Sequence, residues 1–240
     1  DWVTNDIPNT TEMHDLLRKS GRDIAFSISN AAPFELASDW GRLTNAWRTT
    51  GDILDSWCSM TTIGFLQNKW QPYASPGAWN DPDMLVVGKV GWGDGIRTTG
   101  LSPNEQYTHL SLWSILAAPL LVGCDLTLLD EFTLALLKNR EVIAVNQDVA
   151  GIQGKRVYQD NDKMIEVWSR PLNDGSLAVG LFNLGETEQS ISVNWSQLGL
   201  SSTQTVRNLW KHEDMGSFDS EFSASVPSHG VAFVKISPVR

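Results

Sequence analysis

An alternation of two kinds of segment over the first 150 residues constrains the fold more than any other feature of this chain. Short apolar runs occupy residues 23–29, 45–49, 83–88 and 120–123, and polar residues stand at their ends: Ser29-Asn30, Arg48 to Asp52, Asn80 to Asp83, and Cys124-Asp125. Helical patterns lie between them. Residues 10–21 read as a helix with Asn9 or Thr10 as its cap, Met13, Leu16 and Leu17 as its apolar stripe and Gly21 as its stop. Further helices are expected at 39–43, at 56–66, from Ser102 to Pro119, and at 128–138 and 140–147. The longest of these starts on Ser102-Pro103-Asn104-Glu105, a capping box with Pro at the first helical position.

Strand, loop and helix repeated four times predict a parallel α/β architecture. The strands are apolar throughout, as in a sheet covered on both faces. Four units make half of a (β/α)8 TIM barrel, which takes about 250 residues in full and carries its site at the carboxyl ends of the strands. The chain opens on neither an initiator Met nor a signal peptide, so the other half is expected to precede Asp1. Half a barrel leaves strand edges open, and this piece made alone is expected to be inactive or to aggregate.

Beyond Gly151 the period changes to two. Residues 157–158, 164–170, 176–183, 190–193, 205–210 and 230–236 are short alternating runs separated by turn signals, notably Asn173-Asp174-Gly175. They predict an antiparallel β-sandwich. The expected organisation is a partial barrel over 1–150, from the end of strand 4 through helix 8, followed by a C-terminal sandwich over 151–240. A net charge of -10 repels phosphate backbones and argues against nucleic acid. The apolar stretch at 115–122 is too short to span a membrane.

Two polar constellations can carry chemistry. Trp47-Arg48-Thr49-Thr50-Gly51-Asp52-Ile53 sets an Arg and an Asp four residues apart in a Gly-containing turn, where both can point into a pocket or simply form a local ion pair. Pro76-Gly77-Ala78-Trp79-Asn80-Asp81-Pro82-Asp83-Met84 is a rigid turn whose Asn and two Asp can hydrogen-bond several hydroxyls. An Asx-turn explains at least one of those Asp, and the spacing matches no Ca²⁺ loop. Cys58 and Cys124 have no partner at metal spacing and read as buried free thiols. His14, His109, His212 and His229 show neither ligand nor triad spacing, and Glu35 is a weak candidate in a helix or loop. Trp92, in Gly91-Trp92-Gly93-Asp94-Gly95, can stack on a ligand or pack on the surface. Asn9-Thr10-Thr11 and Asn194-Trp195-Ser196 are glycosylation sequons, relevant only in a eukaryotic secretory host.

Residues 47–53 and 79–85, with Ala117-Ala118-Pro119-Leu120-Leu121 and Val142-Ile143-Ala144-Val145-Asn146-Gln147-Asp148, resemble glycoside hydrolase family 27, the α-galactosidase and α-N-acetylgalactosaminidase family. The resemblance runs from Asp1 to about Gly154 and continues more loosely through the sandwich. It implies a retaining exo-glycosidase with two catalytic carboxylates, a pair that stands roughly 5–5.5 Å apart in retaining enzymes. Asp52 matches the acid/base, Arg48 a sugar-binding residue near that acid, and Asp83 a residue that contacts sugar hydroxyls or supports the acid, with Met84 packed beside it. The family nucleophile closes a Lys-aromatic-Asp motif, and Asp1 is its expected counterpart, with Trp2 beside it; Asp6 is the alternative. Ser29 and Asn30 complete the expected substrate contacts. The resemblance calls for no metal and no organic cofactor, and for a carbohydrate with a terminal α-galactosyl group as the partner, with no nucleic acid and no membrane, the oligomeric state left open, and a secreted or periplasmic setting favoured. An acid in this role must hold its proton near neutral pH; partial burial and the nucleophile's charge raise its pKa and Arg48 lowers it.

The run Ser27-Ile28-Ser29-Asn30-Ala31-Ala32-Pro33 departs from the Cys-Glu-Trp common among α-galactosidases. Ser29, Asn30 and Ala32 are smaller, which resembles both the N-acetylgalactosaminidase arrangement and bacterial members with Ser-Asn. Hydrolysis of α-galactosides is the expected activity. α-N-acetylgalactosaminidase and β-L-arabinopyranosidase activity are alternatives within the class, and non-catalytic galactose binding is the alternative outside it.

Overall fold

The computed structural model describes residues 5–91 and 95–239. The first part carries α1 (Ile7–Lys19), β1 (Ser27–Ile28), α2 (Ala37–Leu43), β2 (Ala46–Arg48), α3 (Trp57–Phe65), β3 (Trp79–Asp81), β4 (Lys89–Val90), β5 (Arg97–Thr98), α4 (Pro103–Ile115), α5 (Glu131–Leu137) and α6 (Arg140–Asn146). Strands β1, β2 and β3 lie parallel in that order, with Ile28 opposite Trp47 and Trp47 opposite Asn80. A parallel bridge between Leu85 and Val122 adds the next position round the curve. These elements form the C-terminal half of a (β/α)8 barrel. Trp40, Trp47 and Trp70 pack with Ile28, Ala32, Ala37 and Ala78 beside the three strands. Each buried Trp removes about 150–250 Å² from water, worth about 4–6 kcal/mol of gross transfer free energy before entropy is counted.

Several boundaries differ from expectation for physical reasons. Helix α1 starts earlier because Asp6 is the cap: its Oδ1 accepts from the Asn9 amide at 2.8 Å, and Pro8 occupies the first turn. The stripe of α1 is not buried, with Met13 and Leu16 about half exposed. The third strand is Trp79–Asp81 and not 83–88, because Asp83 takes a φ of 83° and interrupts the extended backbone. Residues 85–87 are buried all the same. Helix α4 carries the expected capping box, with the Ser102 amide donating to Glu105 Oε2 at 2.7 Å. It stops at Ile115 instead of Pro119, since Ala117 adopts a φ of 53°. The thiols are free, but Cys58 is exposed and Cys124 only half-buried, not the buried pair expected.

The second part has β6 (Lys155–Asp160), β7 (Ile165–Pro171), β8 (Leu177–Asn183), β9 (Gln189–Asn194), β10 (Gln204–Asn208), β11 (Glu213–Phe218), β12 (Glu221–Val226) and β13 (Val231–Pro238). An antiparallel six-stranded sheet in the order β11-β10-β13-β8-β7-β6 packs on the β9–β12 pair around Val167, Val179, Leu181, Ile191, Val193 and Val234. The other face of the large sheet presents Trp168, Phe182 and Phe233 to Phe65 and Ile115 of the barrel elements, so the two parts share one apolar core. No helix among the described residues is long and apolar enough to cross a membrane.

Candidate active site

The site is built from the residues that follow β1, β2 and β3 at their carboxyl ends. Arg48 ends β2, and the backbone of Thr49 donates to Asp81 O at 2.9 Å, holding the loop after β2 against the end of β3. From there the Arg48 guanidinium reaches two carboxylates. Its Nη2 lies 2.8 Å from Asp83 Oδ2 and 3.1 Å from Asp52 Oδ1. Asp83 is buried and fully engaged: Oδ2 also accepts from the Ile53 amide at 2.8 Å, and Oδ1 accepts from the Met84 amide at 2.8 Å. One side chain thus ties the loop after β2 to the loop after β3.

Asp83 sits in the left-handed region, which is strained for a residue with a Cβ. Two groups hold it there. Asp81 Oδ1 accepts from the Asp83 amide at 2.8 Å, and Trp113 Nε1 of α4 donates to Asp83 O at 2.7 Å. Burial pushes the Asp81 carboxyl above the usual range, while the Asp83 amide and Arg48 pull it down and the Asp83 charge adds to the rise. The first support is the Asx-turn that the sequence suggests for one of the two Asp. The second is missed, since nothing in the sequence pairs Trp113 with Asp83.

Asp52 is different in kind. Its side chain is 78% exposed, so the partial burial expected for it is not supplied by the described residues. Besides Arg48, it accepts from Asn30 Nδ2 at 3.1 Å, again on Oδ1. Ser29 Oγ donates to Asn30 Oδ1 at 2.9 Å, and Asn5 Nδ2 donates to Ser29 O at 2.6 Å. Ser29, Asn30, Arg48, Asp52, Asp83 and Met84 therefore gather in one place. Asp1 and Trp2 lie outside the described residues, as does Trp92. Asp6 has both carboxylate oxygens on Asn9, through the cap and through Asn9 Nδ2 at 2.8 Å.

The loop that carries Asp52 is braced from its far end. Asp55 forms a two-pronged ion pair with Arg97 of β5, one contact at 2.8 Å, and accepts from the Gly100 amide at 2.6 Å. The Arg97 hydrogen bond holds the Asp55 carboxyl below its ordinary value. His109 is fully buried, accepts from the Val86 amide at 3.1 Å, and is pushed down to about 3 by burial, so it is neutral under ordinary conditions. His229 packs flat on Trp57 at 4.2 Å with Nδ1 2.7 Å from Glu105 Oε1. A cleft of about 790 Å³ lined by His14, Arg18, Arg22, Phe26 and Asn45 opens at the amino ends of β1 and β2, the opposite end from Asp52. Among the described residues, no group of three or more His, Cys, Asp or Glu is placed to hold a metal ion.

An exposed carboxylate and a buried one sharing a guanidinium at barrel strand ends can bind a polyhydroxylated ring and exchange a proton with it. Comparison with known proteins gives the family. The family model described as alpha galactosidase A matches residues 4–148, and that of the alpha galactosidase C-terminal beta sandwich domain matches residues 162–236. Alpha-galactosidase 2 of Arabidopsis thaliana is 43% identical over 91% of this chain and 53% of its own length. The alpha-galactosidase of Cyamopsis tetragonoloba is 42% identical over 92% of this chain and 52% of its own. The chain spans about half the length of the curated relatives it matches. Among solved structures, a GH27 β-L-arabinopyranosidase from Geobacillus stearothermophilus superposes with a TM-score of 0.91 at 31% identity, over 97% of this chain and 54% of the other.

Proposed function

The chain belongs to glycoside hydrolase family 27, the α-galactosidase family, and we propose that it carries the acid/base side of a retaining exo-glycosidase acting on terminal α-D-galactosyl residues. The observation that supports this most is the Arg48 guanidinium between exposed Asp52 and buried Asp83. In the proposed reaction Asp1 attacks the anomeric carbon. Asp52 protonates the departing glycosidic oxygen, then takes a proton from the water that opens the glycosyl-enzyme. Arg48, Asp83, Ser29, Asn30, Trp2 and Met84 hold the sugar. The partner is a carbohydrate with a terminal α-galactosyl group. We infer the same domain division as the sequence suggests, 1–150 for the catalytic barrel and 151–240 for the sandwich.

The test uses the complete protein and its Asp52→Asn variant. Loss of an acid matters most where the leaving group needs a proton. Asp52→Asn is expected to lower hydrolysis of an unactivated galactoside by about 10²–10⁴-fold, and that of a nitrophenyl α-galactoside far less. Equal loss on both substrates removes the acid role.

A second reading is supported by the small side chains of Ser29, Asn30 and Ala32 and by the likeness to a β-L-arabinopyranosidase. A panel of nitrophenyl α-galactoside, β-L-arabinopyranoside and α-N-acetylgalactosaminide separates the sugars. Turnover of the second or third in preference to the first replaces the substrate and keeps the mechanism.

A further inference from the structure

We propose that Asn30, oriented by Ser29, is a positioning residue for Asp52 that fixes which carboxylate oxygen exchanges the proton with substrate. This rests on the acid/base reading of Asp52 and deepens it.

The argument starts from the ambiguity of an amide. Asn30 can present to Asp52 either a donor or an acceptor. The ionised carboxylate of Asp52 can only accept, so the amide nitrogen faces Asp52 Oδ1 at 3.1 Å, and the Ser29 hydroxyl supports that orientation by donating to Asn30 Oδ1 at 2.9 Å. Ser29 is itself held through its carbonyl by Asn5 Nδ2 at 2.6 Å. Arg48 Nη2 reaches the same Asp52 Oδ1 at 3.1 Å. Two donors thus converge on one oxygen of Asp52, and Oδ2 is the oxygen that meets substrate.

The arrangement serves both protonation states. With the proton on Oδ2, Oδ1 still accepts from Asn30 and Arg48. In the first step that proton moves to the glycosidic oxygen as its bond to the anomeric carbon breaks and the nucleophile's bond forms. The two donors then stabilise the carboxylate left behind. In the second step a water proton returns to Oδ2 while the water oxygen bonds to the anomeric carbon and the bond to the nucleophile breaks. Neither step requires Asn30 or Arg48 to change partner.

The consequence is a leaving-group effect: without Asn30 the carboxylate left after proton transfer loses one of its two donors, which matters most where the leaving group needs the proton. The charged groups around Asp52 are Arg48 at the end of β2, Asp81 at the end of β3 and Asp83 just after it, both beyond Arg48, and Asp55, which Arg97 engages. None of them is changed by a substitution at 29 or 30. Both residues are exposed, so the variants remove no packing.

The test compares kcat and KM of the complete protein on an unactivated galactoside and on a nitrophenyl α-galactoside. Asn30→Ala is expected to lower kcat on the unactivated galactoside about tenfold and that on the nitrophenyl substrate far less. Ser29→Ala acts in the same direction by less, and Ser29→Thr, which keeps the hydroxyl, keeps the parent kinetics. Equal loss on both substrates, or a raised KM with kcat unchanged, overturns the proposal and leaves Asn30 as a sugar contact. Equal loss on both substrates in Asp52→Asn ends the acid/base reading separately.

Discussion

Asp81 and Asp83 sit two residues apart and do opposite things with their charge. Asp83 meets Arg48 and two backbone amides, so its carboxylate is well compensated. Asp81 is buried with its carboxyl raised, chiefly by that burial. A raised pKa means that Asp81 contributes stability below its unfolded value of about 3.9, and this is lost as pH rises through the folded value. Asp81→Asn keeps an oxygen for the Asp83 amide and removes the charge. It is expected to be at least as stable as the parent in neutral thermal melts, with the difference closing toward acid pH. A variant less stable at neutral pH by more than about 1 kcal/mol contradicts that account. Asp81→Ala frees the left-handed Asp83 and is expected to lower activity at least tenfold. The pairing of Arg48 with Asp52 was legible in the sequence from a four-residue interval within one turn. The pairing of Arg48 with Asp83 was not, because it depends on how β2 and β3 lie side by side.

At the scale of elements, caps and alternation were the legible signals. Ser102 and Glu105 announced α4, and the box is present. Ser102→Ala is expected to cost about 1 kcal/mol in denaturant melts. Strand β11 was invisible because Glu213-Asp214-Met215-Gly216-Ser217-Phe218 is an exposed edge with no apolar face to alternate. The third barrel strand was misplaced for the converse reason. The more apolar run at 85–87 lies beyond Asp83, whereas the paired strand is the polar Trp79-Asn80-Asp81. Its Asn80 is buried and donates to Trp70 O at 2.8 Å and Gln153 Oε1 at 2.7 Å, contacts that no periodicity reveals. Strand β5 matters through Arg97, whose bond to Asp55 braces the loop carrying Asp52. Asp55 is held below its ordinary value, so its contribution is present above the unfolded pKa and is lost as pH falls through the folded one. Arg97→Ala is expected to cost about 1 kcal/mol near neutral pH and less in acid.

At the scale of the molecule, the period-two pattern begins beyond Gly151 and strand β6 begins at Lys155, but nothing in that pattern foretold how closely the two parts are joined. Trp168, Phe182 and Phe233 of the sandwich complete a core with Phe65 and Ile115. Buried Arg170 of β7 donates to Ser114 O at 2.7 Å and Asn146 O at 3.1 Å, and Arg207 of β10 pairs with Glu141 at 2.7 Å. Such contacts couple sequence-distant residues, which is why local patterns miss them. They predict that the two parts unfold as one cooperative unit. Phe182→Ala, at their common core, is expected to destabilise by about 3–5 kcal/mol and to lower the melting of both parts together. Two separate transitions contradict the shared core.

The central claim is that Asp52 is the acid/base of a retaining glycosidase, and azide tests it most directly. In an Asp52→Ala variant the glycosyl-enzyme still forms from a nitrophenyl α-galactoside, and azide needs no base to attack it from the face that water uses. The predicted result is a rate restored by azide, with α-galactosyl azide as the product. Formation of β-galactosyl azide makes Asp52 the nucleophile, and parent-like turnover by Asp52→Ala without azide denies it any catalytic role.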